Sequence, residues 1–385
     1  MRFPLSSPHA VSEAAIESAI QCLRSGRHTM GPEVEAFEKT FASYVGSKHA
    51  VMVNSGSSAN LLAVEAMRRP SDQKPRWVAG DEILVPALSW STSVWPLIQA
   101  GLRPVFVDVN PNTLDMDLTD ARRQMTARTA GVLLIHVLGI PADMTAMQAF
   151  CDEEQLFLIE DCCEAFGAKW NGSSVGTYGL VGTFSHFFSH QLPTIEGGMC
   201  ITEDEAIADD LRSMRAHGWS RNRTDRAKWE GRSDIDPRFL FVSSGYNVRP
   251  MELQAAIGLE QMRTTEAVRR THVATACALR SACGALGWLE MLGFVPGPRR
   301  QWSWMNAPLL VKDVISRNSV VRALESAGIE TRPIIAGNIT KHPAFAGYRT
   351  DCPVADRIMR DGFMIGCHDP AIAEALSEAL RAVAA

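Results

Sequence analysis

The sequence predicts an α/β protein: a mostly parallel seven-stranded sheet in a large domain, followed by a smaller C-terminal α/β domain. Three observations carry this. Seven short β-rich runs recur before residue 250, each followed by a helical stretch or a turn, and that alternation implies a parallel sheet covered on both faces. At 385 residues, 46% hydrophobic and 21% charged, the chain can bury a large core and divide in two. Beyond residue 250 a long helical pattern leads into a second set of strands.

In chain order, Val11 to Tyr44 has helical periodicity interrupted by Gly26 and by Gly31-Pro32, and should pack across the large domain or a partner subunit. The β-rich runs are His49 to Asn54, Glu82 to Leu88, Pro104 to Val109, Gly131 to Val137, Leu156 to Asp161, Val181 to Phe187 and Gly198 to Thr202. Residues 1–250 form the expected large domain and 251–385 the connecting helix and small domain. Met251 to Ala282 reads as one long helix, with Leu253, Ile257, Leu259 and Met262 largely on a helical repeat. Trp304 to Val311 and Ile329 to Ile334 are the later strands. Asp369 to Ala384 closes the chain as a helix, with Asp369 as N-cap and Pro370 at the first helical position.

Composition narrows the function classes. A formal net charge of -5 gives no basic footprint for nucleic acid or an anionic membrane. No apolar stretch reaches the length of a membrane span and no signal peptide is visible, so the cytoplasm is the expected compartment. Nine scattered cysteines without a CxxC pair point to reduced thiols, and the adjacent Cys162 and Cys163 do not supply the spaced thiolates of an iron-sulfur cluster.

In open α/β sheets ligands sit beyond the carboxyl ends of strands, so the residues just after each run are the ones to inspect. Asn54-Ser55-Gly56-Ser57-Ser58-Ala59-Asn60 follows a strand and opens a helix, which suits a phosphate: glycine lets the backbone approach, and free N–H groups and hydroxyls point at the anion. Taken alone, such a turn caps a helix at least as often. Ile159-Glu160-Asp161 puts a carboxylate at a strand tip, where it could hold a pyridinium nitrogen or simply cap a helix. Trp90 could stack on a ring or belong to the core. The run Gly182 to Gly198 is more specific: a strand, Ser185, the pair Phe187-Phe188, Ser189-His190, then Glu196-Gly197-Gly198 turning into another strand.

That order resembles the DegT-type sugar aminotransferase family, fold type I PLP enzymes in which a lysine stands where His190 stands here. The resemblance extends over almost the whole chain, through Arg215-Ala216-His217-Gly218, Gly245-Tyr246-Asn247 and Glu252 to Gly258. Within the family it is strongest toward members that dehydrate nucleotide sugars at C3, on Thr29-Met30-Gly31, Ser89-Trp90-Ser91-Thr92, Ser189-His190, His217-Gly218-Trp219, Tyr246 to Pro250 and Ala327 to Ile334.

The resemblance implies a 3-dehydratase of a nucleotide-linked 4-keto-6-deoxyhexose, with GDP-4-keto-6-deoxy-D-mannose as the implied substrate. A transaminase lysine binds PLP covalently, and an imidazole cannot form that bond. The cofactor, PLP or its amine PMP, is then held non-covalently, and His190 moves protons. Glutamate is the implied amino donor, ammonia the co-product, and no iron-sulfur cluster takes part. Carried over by position, Gly56, Ser57 and Ser185 hold the phosphate, Trp90 stacks on the ring, Asp161 binds its nitrogen and Glu164 lies close by. Asn247 reaches the neighbouring subunit's cofactor, which implies a homodimer. His217, Arg249 and Arg332 are implied substrate or donor contacts, Arg332 by a bidentate grip. Two positions depart from the pattern: Gln191 stands where related chains often carry a second histidine, and His136 where a related dehydratase has Asn. A dehydratase of another nucleotide sugar, a sugar aminotransferase and a non-catalytic PLP-fold regulator are the competing expectations.

Overall fold

The central sheet of the computed structural model, which describes residues 1–69, 76–230, 234–295, 297–312 and 315–381, has seven strands. They are β1 (His49–Val53), β2 (Glu82–Pro86), β3 (Arg103–Val107), β4 (Thr129–Ile135), β5 (Phe157–Asp161), β6 (Val181–Ser185) and β7 (Gly198–Thr202). Their order across the sheet is 1-7-6-5-4-2-3, and only β7 runs antiparallel to both of its neighbours. The strands coincide with the seven β-rich runs of the sequence. Every residue of β2, β6 and β7 is buried, as expected for strands covered on both faces.

Helix α1 (Glu13–Arg24) and helix α2 (Pro32–Val45) form where periodicity predicts them, separated at Gly26, whose φ of +75° is left-handed, and at Gly31-Pro32. Pro32 occupies the first turn of α2. The N–H groups that open α2 are capped from far away: Glu252 accepts from Gly31 N (2.7 Å) and Val34 N (3.0 Å) with Oε1 and from Glu33 N (3.1 Å) with Oε2. Below α2, Phe41 stacks on Phe166 at 5.1 Å and meets Phe184 edge-on at 5.1 Å, pinning the helix to the sheet beneath Ser185. After β1 comes α3 (Gly56–Met67) and after β2 comes α4 (Ser91–Gln99), so both start beyond the carboxyl ends of parallel strands.

The single long helix expected from Met251 to Ala282 is two, α5 (Glu252–Met262) and α6 (Thr265–Leu286). The apolar repeat runs through the break, but its partners change. α5 packs on α1 and α2, so closely that a Cβ on Gly258 would lie 2.6 Å from the Phe37 ring, whereas α6 packs on the second sheet. That sheet is β8 (Leu289–Met291), β9 (Asn306–Val311), β10 (Thr331–Arg332) and β11 (Gly362–Gly366), in the order 8-9-11-10. The run Ile329 to Ile334 thus yields only two strand residues, because Ile329 pairs instead with Phe3. The closing helix, α7 (Ile372–Leu380), starts two residues later than expected: Asp369 accepts from Ala371 N (2.9 Å) in the preceding turn, and the expected end at Ala384 lies outside the described residues. Among the described residues no helix is long and apolar enough to cross a membrane.

Candidate active site

The carboxyl ends of β1, β5 and β6 and the starts of α3 and α4 surround a pocket of about 390 Å³. At one end is the start of α3. Ser55 caps the helix by accepting from Ser58 N (3.1 Å), and the Ser58 hydroxyl donates to Asn54 Oδ1 (2.6 Å), so both are committed locally. Gly56 and Ser57 face the pocket, with the Ser57 hydroxyl donating to Thr92 Oγ1 at 2.9 Å. First-turn N–H groups lack intrahelical acceptors and suit an anion. A Cβ on Gly56 would lie 2.5 Å from Cβ of Ser185 and 2.9 Å from Sγ of Cys163, so only glycine lets the tip of β6 reach the helix start. Gly198 is constrained more tightly: a Cβ there would lie 2.2 Å from the Ser55 carbonyl oxygen.

Asp161 ends β5 opposite Thr183 of β6 and is 3% exposed. Its Oδ2 accepts from Asn60 Nδ2 (2.7 Å) and Ser93 Oγ (2.7 Å), and its Oδ1 from Cys163 N (3.0 Å). Strand alternation turns Glu160 to the other face. There it accepts from Gly176 N (2.8 Å), Tyr178 N (2.7 Å), Gly179 N (2.6 Å) and His136 Nε2 (3.0 Å). His136 Nδ1 accepts from Ala142 N (3.1 Å), which leaves its proton on Nε2. His136, Glu160 and Cys162 lie within 4.8 Å of one another, but the Glu160 oxygens are engaged by main-chain N–H groups, and the trio is a buried structural network.

His190 sits on the turn after β6, where its N–H bonds to Phe187 O (2.9 Å) and its ring meets Phe187 edge-on at 5.7 Å. Nδ1 is the more enclosed nitrogen, and the ring lines both this pocket and a neighbouring cavity. The residue keeps some contact with the cavity, yet burial of the ring pushes the imidazole down to about 4, against the opposing pull of the Ser185 main chain and the Asp161 charge. At neutral pH it is therefore an unprotonated base. No lysine lines the pocket among the described residues. Next in sequence, Gln191 anchors this turn: its Nε2 donates to Ser303 O (2.8 Å) and to the Glu164 carbonyl.

Glu164 lines the pocket and its Oε2 accepts from Leu138 N (2.9 Å). Burial raises its carboxyl to about 7, with the Asp161 charge adding to the rise and the Leu138 N–H opposing it. A raised acid stabilises the fold in its protonated form, so this contribution is complete below about 4.5 and is lost as pH climbs through about 7. In denaturant melts of the cofactor-free protein, Glu164→Gln should gain on the wild type between pH 5 and pH 8; a constant difference would contradict the assignment.

The structure thus brings together Gly56, Ser57, Trp90, Asp161, Glu164, Ser185 and His190. Trp90 stands at the mouth, 55% exposed. The other four predicted residues do not reach the pocket of their own chain. Asn247 is exposed and accepts from Arg249 Nε (3.0 Å), and it pairs across a bridge with Ala216, next to His217. His217 has φ of +64° and packs edge-on to Trp219 at 4.9 Å. Arg332 is turned to Glu330 Oε1 (2.6 Å) and Thr331 O (2.8 Å) and does not line the pocket.

Sequence reasoning missed several wall residues. Asn60 and Ser93 hold Asp161, while Met305, Ile335 and Met364 close the pocket from the second sheet's side. It also missed a second cavity of about 320 Å³ across Ser189, His190 and Met305, with Ser6, Ser7, His9, His272 and His368 among its walls. Asn60 was within sight, one helical turn after Gly56, but its partner is 101 residues away.

Comparison with known proteins gives three findings of the same kind. Residues 9–383 match the DegT/DnrJ/EryC1/StrS aminotransferase family. A GDP-4-keto-6-deoxy-D-mannose 3-dehydratase of Yersinia pseudotuberculosis is 38% identical over an alignment that covers 97% of this chain and 96% of that protein. Among solved structures, the E. coli GDP-4-keto-6-deoxy-D-mannose-3-dehydratase with bound hydrated PLP is similar with a TM-score of 0.92, at 36% identity over 98% of this chain and 99% of that one. A GDP-4-keto-6-deoxymannose-3-dehydratase with a trapped PLP-glutamate geminal diamine is similar at 35% identity and a TM-score of 0.92, over 98% and 100% of the two chains.

Proposed function

The chain belongs to the DegT/DnrJ/EryC1/StrS aminotransferase family, and from that premise we propose that it is a PLP/PMP-dependent 3-dehydratase of GDP-4-keto-6-deoxy-D-mannose. The observation that carries the reading is the imidazole of His190 lining a pocket that, among the described residues, no lysine lines. The residues present fit the cofactor. A helix start kept free of side chains by Gly56 and Gly198 suits a phosphate, and a buried carboxylate at the far wall suits a ring nitrogen.

In this reading Gly56, Ser57 and Ser185 bind the phosphate, Trp90 covers the ring, and Asp161 accepts from the ring nitrogen. When bound, the cofactor supplies an amine that condenses with the sugar's C4 ketone and a ring that takes up electrons as the C3 hydroxyl departs. The imidazole of His190 would take up the proton released as the cofactor acts and give it to the departing hydroxyl. Glu164, whose carboxyl burial raises to about 7, lines the same pocket. Glutamate restores the amine, a choice supported by the PLP-glutamate adduct of the similar structure. The working unit is a homodimer in which Asn247, Arg249 and His217 serve the neighbouring subunit's site. Two things support this: these residues stand apart from the pocket of their own chain, and Phe188 and Ile195 are exposed beside its rim.

The test is a reaction of the purified protein with PMP, glutamate and GDP-, CDP- and dTDP-linked 4-keto-6-deoxy sugars. The expected result is a GDP-sugar product lighter by one oxygen, with 2-oxoglutarate and ammonia formed in equal amount. A stable amino sugar would replace this reading with that of an aminotransferase.

A further inference from the structure

We propose that Asn60, together with Ser93, is a positioning residue for the cofactor's ring nitrogen: the two bind one oxygen of Asp161 and leave the other to face the ring. The inference rests on the cofactor reading above. A carboxylate offers about four acceptor sites, two on each oxygen. Oδ2 fills both of its sites with Asn60 Nδ2 and Ser93 Oγ, each at 2.7 Å. Oδ1 receives one strong donor, Cys163 N at 3.0 Å, and keeps one site. The Cys163 thiol also hydrogen-bonds this carboxylate; burial and the Asp161 charge push it well up, so it stays a neutral, weak donor that a ring N–H would displace. Asp161 therefore offers the ring nitrogen one oxygen and one direction.

Asn60 is itself held so that its amide cannot turn over. Its Oδ1 accepts from Thr183 Oγ1 at 2.6 Å, which commits Nδ2 to the carboxylate. Asn60, Ser93, Thr183 and Asp161 are all at most 3% exposed, so a lost hydrogen bond there finds no water to replace it. Asn60 also lies four residues after Gly56 on α3. One rigid helix thus presents its first turn to the phosphate and, about 6 Å further along its axis, fixes the carboxylate for the ring nitrogen. The span between the two ends of the cofactor is built into α3, which a covalent lysine would otherwise help to enforce.

The experiment compares binding of PLP with that of the analogue carrying carbon in place of the ring nitrogen, by absorbance titration of the wild type, Asn60→Leu and Ser93→Ala. Asn60→Leu keeps the side-chain volume and removes the donor; Ser93→Ala removes the other donor without adding volume. The expected result is a loss of PLP affinity on the order of tenfold in each variant, with analogue affinity unchanged within about twofold. An equal loss for both ligands, or none for either, would make Asn60 a packing residue and overturn the proposal. Wild-type protein that binds both ligands equally would overturn it while leaving the cofactor reading intact. Wild-type protein that binds neither would remove the cofactor reading and the proposal with it.

Discussion

His190→Asn should still bind PLP yet release the C3 hydroxyl on the order of a hundredfold to ten-thousandfold more slowly than the wild type. Binding survives because no covalent bond to residue 190 holds the cofactor; the phosphate and ring contacts come from α3, β5 and β6. Chemistry fails because Asn has no basic nitrogen to replace the imidazole that lines the pocket. Single-turnover ammonia release measures the rate, and an absorbance titration the binding. A rate within a few-fold of the wild type would move the base to another residue. The same assay has a pH signature. With the imidazole held near 4 by burial, the acid limb of kcat/KM should fall well below the range of an ordinary histidine, which has a pKa of about 6.5. Any limb near neutrality should vanish in Glu164→Gln, since that carboxyl titrates at about 7.

Gly198→Ala should cost about 3 kcal/mol of stability and lower PLP affinity by more than about tenfold. An added Cβ would stand 2.2 Å from Ser55 O, 2.4 Å from its carbonyl carbon and 2.8 Å from Gly56 N. All three are backbone atoms, so no side chain can rotate away. Gly198 also lies between Val53 of β1 and Ser185 of β6 in the sheet, and relief would require parting those strands or displacing the start of α3. Urea denaturation and PLP titration read the two effects. Gly284→Ala is the control: it lies within α6, a Cβ added there would meet nothing within 4 Å, and the variant should be neutral or slightly stabilising. If the two variants behaved alike, the steric account of the phosphate cradle would be wrong.

The large sheet was legible because its strands are short, buried runs punctuated by turns, and the position of Asp161 and Ser185 at strand tips follows from the parallel order. The seven predicted residues that line the pocket were legible from the family's motif order more than from local physics. Spacing could not show that Asn60 and Ser93 converge on one oxygen of Asp161, since in a helix pattern each is simply a polar position. The break between α5 and α6 was hidden for a related reason: the apolar repeat continues across Arg263 and Thr264 while the surface it packs against changes. Arg332 shows the converse, a side chain whose type suggested an anion clamp and whose neighbour Glu330 claims it.

The pairing of Phe3 with Ile329 also ties the start of the chain to the second sheet. Phe3 N bonds to Gly328 O (2.9 Å), Glu330 N to Phe3 O (2.9 Å), and Leu5 N to Glu330 Oε2 (3.0 Å) across a separation of 325 residues. Residues 5–7, 9, 10 and 12 wall the cavity across His190, and Phe3 is itself buried in the core. One wall of the cavity beside His190 is thus anchored on the second sheet by contacts far apart in sequence, and closing so long a loop raises the entropic cost only logarithmically.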